Sequence, residues 1–163
     1  MKKFLKSLVA VMLVCLMAVS FTSCGGVSKD PAKAKANLEK NGYSVTSLHD
    51  DGSLVEGTAA AAAITAAVAG YGLKAADIDY IVTGTAEIEG SYESVVIYYC
   101  KTKDAATKIH DAIEKQYNDF KAEVEKMEDG ADKDEAEAEL KDSKYGKSGT
   151  VVWMGTKAGV KAA

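Results

Sequence analysis

Residues 30–163 predict a single α+β domain: an antiparallel sheet with helices, built on a ferredoxin-like β-α-β-β-α-β core with extra N- and C-terminal helices. Three observations carry this. Residues 79–88 and 92–101 read as the arms of a hairpin. Tyr80, Val82, Gly84, Ala86 and Ile88 alternate with polar residues, and Glu89-Gly90-Ser91 makes the turn. Ala105, Ile109, Ala112, Ile113, Tyr117, Phe120, Val124 and Met127 recur three or four apart, which lays one apolar stripe along a helix. The inner segments then follow one another in the ferredoxin-like order, whose inner strands are the first and the third.

The elements are justified in turn. Asp30-Pro31 is an N-cap followed by a first helical residue, and the helix runs to about Lys40 with Ala34 and Leu38 inward. Asn41-Gly42 stops it. Tyr43 to Leu48 alternates weakly as a strand, and His49-Asp50-Asp51-Gly52-Ser53 is a turn. Thr58 caps an alanine-rich helix ending at Ala69-Gly70. Its propensity is high, but its side chains offer little area to bury. The second hairpin arm is apolar on both faces: Val95, Ile97 and Tyr99 on one, Val96, Tyr98 and Cys100 on the other. It therefore reads as a central strand. Asp104 is the expected cap of the striped helix, whose stripe is expected on the Val95, Ile97 and Tyr99 face. Glu128 to Lys147 is charged and small, and reads as an exposed helical insertion or a loop that tolerates deletion. Thr150 to Met154 is the last strand and Thr156 to Ala163 a short helix.

The N-terminus has a different character. Lys2, Lys3 and Lys6 precede an apolar run from Leu8 to Val19, the layout of a signal peptide. Small and polar residues follow, ending in Phe21-Thr22-Ser23-Cys24-Gly25-Gly26. Leu16 to Cys24 resembles the lipobox of bacterial lipoprotein precursors, with Phe21 where that family usually has Leu. The resemblance implies cleavage between Ser23 and Cys24, a diacylglyceryl group on the Cys24 sulfur, and palmitate-type chains holding the protein at the extracytoplasmic face of the cell membrane. Two chains on one residue give stable anchoring. Residues 24–29 would then be a lipidated tether. Ordinary cleavage after Ala18-Val19-Ser20 and an uncleaved membrane helix are the competing readings. The region from Tyr80 to Ala163, ending in Val151-Val152-Trp153-Met154-Gly155-Thr156, is similar to small uncharacterised lipoproteins of gut-type low-GC bacteria, a resemblance that implies no activity.

Composition narrows the function classes. Loss of three lysines with residues 1–23 leaves 17 basic against 24 acidic residues, a net charge of −7, and the chain has no arginine. Nucleic-acid and phosphate sites rely on the guanidinium fork, so neither partner is expected. Nor is a second, electrostatic membrane contact. Cys100 is the only cysteine left after Cys15 is removed and Cys24 lipidated, which excludes an intrachain disulfide and suits an apolar filler.

Few residue sets could carry chemistry. His49-Asp50 and His110-Asp111, with Asp51, have the donor types for a divalent metal. A solvated turn and a helix flank explain them as well, and no metal or other cofactor is expected. Cys100 with His110 would make a thiol–imidazole dyad only if Cys100 were exposed. Gly70-Tyr71-Gly72-Leu73-Lys74-Ala75 has dinucleotide-loop spacing but follows a helix where that loop follows a strand. The expectation is a monomeric, non-catalytic, lipid-anchored domain that binds a protein partner or small ligand through an aromatic surface containing Tyr98, Tyr99 and Trp153. The alternatives are a small extracytoplasmic enzyme or metal-binding protein using His49, Asp50 and His110, and a structural envelope lipoprotein.

Overall fold

A computed structural model describes residues 26–49, 59–88 and 91–163. The signal segment, Cys24, Asp50, Asp51 and the Glu89-Gly90 turn lie outside the described residues. The elements are α1 (Pro31–Lys40), β1 (Ser44–His49), α2 (Ala59–Ala69), a 3-10 turn (Ala75–Asp77), β2 (Ile78–Ile88), β3 (Ser91–Cys100), α3 (Lys103–Val124), α4 (Ala131–Asp142), β4 (Ser143–Ser148), β5 (Val151–Thr156) and α5 (Lys157–Ala162). The α+β class stands. Among the described residues, no helix is long and apolar enough to cross a membrane.

The helix ends follow local chemistry. Asp30 Oδ1 accepts from the Ala32 amide at 2.9 Å, so α1 starts as read. Thr102, not Asp104, caps α3 by accepting from the Ala105 amide at 3.1 Å. Asp104 lies in the first turn, where its charge favours the positive helix end. The Gly70–Gly72 stretch closes α2, with Gly72 at φ +66°, and serves no phosphate loop.

The five strands form one antiparallel sheet in the order β1-β2-β3-β5-β4. The ferredoxin-like expectation placed the first and third strands inside. β3 is central, but among the described residues β1 lies at an edge, paired only with β2. The slot beside β3 goes to β5, which buries Val151, Val152 and Met154. β1, with Ser44, Thr46 and Ser47, has less apolar area to offer and suits an edge. The second edge is β4, Ser-Lys-Tyr-Gly-Lys-Ser, inside the segment read as a dispensable insertion. A two-residue turn with Gly149 at φ +66° folds it against β5. Only α4 is therefore peripheral, and no residue of it is buried.

Helices cover both sheet faces, and the expected assignment is reversed. Ile109 and Ile113 of α3, with Ile64 and Val68 of α2, pack on the face bearing Ile81, Tyr98, Cys100, Val152 and Met154. Ala34 and Leu38 of α1, Val160 of α5 and Val27 cover the face bearing Val82, Val95, Ile97, Tyr99 and Val151. Because β3 is apolar on both faces, its pattern alone does not say which helix takes which side. Phe120 is half-buried and belongs to neither cluster.

The segment read as a tether is partly structural. Val27 is buried, the Ser28 amide donates to the Ala163 carbonyl at 3.3 Å, and Tyr99 Oη donates to the Ser28 carbonyl at 2.8 Å. α5 completes this face. Thr156 Oγ1 accepts from the Gly159 amide at 3.2 Å and donates to the Ser94 carbonyl at 3.3 Å, fastening the helix start to β3.

Candidate functional site

Among the described residues, a set of chemically capable side chains comes together along the seam between α3 and β4. Residues 110, 114 and 117 share one flank of α3 because helical neighbours lie three and four apart. β4 brings Tyr145 against them. The His110 and Tyr145 rings meet edge-on with centroids 5.5 Å apart, and the Tyr117 ring lies tilted against Tyr145 at 6.1 Å. Tyr145 Oη donates to Glu114 Oε1 at 3.4 Å. Lys147 Nζ donates to Thr107 Oγ1 at 2.8 Å one turn away, so the edge strand is fastened to the helix at two points.

The charges shape this seam. Desolvation, then the Glu114 carboxylate and the hydrogen bond to it, push the Tyr145 hydroxyl up to about 12. It is therefore a hydrogen-bond donor at neutral pH and not a base. His110 is half-buried, its Nδ1 3.4 Å from Asp111 Oδ1. One donor atom each from His110, Asp111 and Glu114 can be chosen so that all lie within 4.8 Å of one another, with both carboxylates exposed. Such a set has the donors for a divalent cation, although exposed acidic groups are common without one.

The residues named from sequence are distributed otherwise. Tyr98 is buried beneath the helices, with Tyr71 edge-on at 5.9 Å. Tyr99 is buried on the opposite face, and burial, then Asp30, raise its hydroxyl well above the usual tyrosine range. Neither is a surface residue. Trp153 is half-buried among the Tyr99 cluster. Its ring lies over Gly146, where an added Cβ would come within 2.6 Å of Cζ2. His49 ends β1 and His110 faces β4, and those strands are opposite edges of the sheet, four spacings or about 19 Å apart. On that spacing, the backbone positions of residues 49 and 110 do not fall in one site. Cys100 is a buried free cysteine, its thiol pushed up to about 11 by burial and then by Asp77, so it forms no dyad with His110. Tyr117 and Tyr145 were missed as a pair. The only signal was the placement of Tyr117 on the α3 stripe, and β4 was not read as a strand. The chain matches no family model, and no curated protein and no solved structure is detectably similar to it.

Proposed function

We propose that this chain is a lipid-anchored extracytoplasmic protein whose folded domain binds a partner or ligand without catalysis, along the α3–β4 seam. The anchor reading rests on the Lys-rich start, the apolar run and Ser23-Cys24. The binding reading rests on one observation: half-buried His110, Tyr117 and Tyr145 cluster where α3 meets β4, with exposed carboxylates at their rim. Paired rings give contact area at low entropic cost, and imidazole and carboxylate give direction to hydrogen bonds. The seam lies on the sheet face opposite Val27, so an anchor just upstream of Gly26 leaves it open.

Two experiments test this. Cys24→Ala should release the protein from membranes on fractionation, and retention would overturn the anchor. A photo-crosslinking residue at Asp111, on the seam, should capture a discrete partner in cells, whereas one at exposed Lys33 on α1 should not. Absence of any Asp111 adduct in membrane-bound protein would overturn the binding site. The donor set of His110, Asp111 and Glu114 supports a second reading, a divalent-cation site. It requires Zn²⁺ to raise the Tm of the wild type and not that of His110→Ala.

A further inference from the structure

We infer that the Gly26–Trp153 corner of the domain rests in the headgroup layer of the bilayer that carries the anchor, an orientation that depends on the lipid being on Cys24. Three observations carry it. First, Gly26 is exposed yet seated on Trp153: a Cβ added to it would lie 3.4 Å from Cη2 and 3.6 Å from Cζ2 of the ring. Second, the following residues cannot peel away cheaply, because Val27 is buried and Ser28 is held by both Ala163 and Tyr99 Oη. Third, Cys24 precedes Gly26 by two residues, a Cα reach of at most about 7 Å.

These distances leave the domain little room. The polar layer on each side of a bilayer is about 5–8 Å thick. A lipid whose glycerol sits in that layer, joined by so short a link, holds Gly26 and the ring beneath it at the membrane surface. Tryptophan suits this place, with an apolar ring and one N–H donor. Trp153 is only half-buried, so this corner is not sealed inside the core. The occupant is the phospholipid interface itself, reached through the ring and not through bulk charge, since the processed chain is acidic. Exposed Lys29 and Lys161 flank Ser28 and Ala163, and Asp30, the nearest acid in sequence, is engaged in capping α1.

Trp153 is the only tryptophan in the chain, so its fluorescence reports this corner alone. The full chain would be produced in bacteria, purified from membranes and reconstituted in neutral phosphatidylcholine vesicles, with or without a lipid carrying a nitroxide on its headgroup. Mass spectrometry of the N-terminal peptide first establishes whether Cys24 bears the lipid. With the lipid present, the nitroxide should quench Trp153. In Trp153→Phe/Tyr117→Trp, which moves the reporter to α3 on the other side of the sheet, quenching should be lost. Equal fluorescence in both vesicle types, or equal quenching of both reporters, overturns the orientation and leaves the anchor standing. A Cys24 without lipid overturns the anchor and the orientation with it.

Discussion

Replacing Gly159 by alanine isolates the joint that holds α5 to the sheet. On propensity alone the change should help, since alanine is favoured over glycine in a helix interior by about 1 kcal/mol. The packing opposes it. The new Cβ would stand 2.4 Å from the Ser94 carbonyl oxygen and 2.8 Å from its carbon. Both atoms belong to the backbone of the central strand, so α5 must retreat by about 1 Å to restore ordinary contact. Overpacking of this kind costs about 1–3 kcal/mol. The same retreat loosens the cap between Thr156 Oγ1 and the Gly159 amide, worth about 1 kcal/mol. The net expectation is a loss of about 2 kcal/mol, near 8 °C in Tm for a domain of this size. Urea unfolding followed by circular dichroism should show a lower midpoint with an unchanged slope. Gly70→Ala is the control: nothing lies within 4 Å of its Cβ position, and it should stay within about 0.5 kcal/mol of wild type. A Gly159→Ala protein as stable as wild type would refute the tight α5–β3 approach.

Other outcomes follow from the same structure. Ile109→Ala, at a fully buried α3 position, should lose about 3 kcal/mol in urea, and half-buried Phe120→Ala less than half of that; the reverse order would mean that α3 is rotated. Tyr43 Oη is buried without a hydrogen-bond partner among the described residues, so Tyr43→Phe should raise stability by about 1 kcal/mol, and a loss would reveal a bond to water or a neighbour. The raised thiol pKa of Cys100 stabilises the fold fully below its ordinary 9.0, and that contribution is lost as pH rises through about 11. Stability should fall across that window more steeply in wild type than in Cys100→Ala, and parallel slopes in guanidinium titrations would count against a buried thiol. The same burial predicts that Cys100 reacts with a disulfide reagent at neutral pH only on unfolding.

The legible parts of the fold were those where one face is apolar and the other is not. The hairpin of β2 and β3, the stripe of α3 and the Asp30-Pro31 start of α1 each announce themselves through a period or a cap. Two things were hidden for physical reasons. β4 has one bulky residue, Tyr145, between lysines, serine and glycine, because an edge strand pairs through its backbone and needs few apolar side chains. The facing of β3 was ambiguous because Val96 and Tyr98 are as apolar as Val95 and Ile97, and only the chain path decides between them. Losing β4 also lost the seam, since Tyr145 meets His110 and Tyr117 only when that strand forms.

The meeting of residue 28 with residue 163 has a consequence for how the protein comes to be folded. Ala163 O accepts from both the Ser28 amide and Asn37 Nδ2, the latter 126 positions earlier in the chain. The part of this hydrophobic layer that α5 covers, where Val160 and Ala163 join Val95 and Tyr99, therefore stays open until residues 157–163 have been made. Long-range closure of this kind is slow to nucleate. A chain emerging with residue 26 ahead of residue 163 would remain unclosed on that side through nearly all of its synthesis.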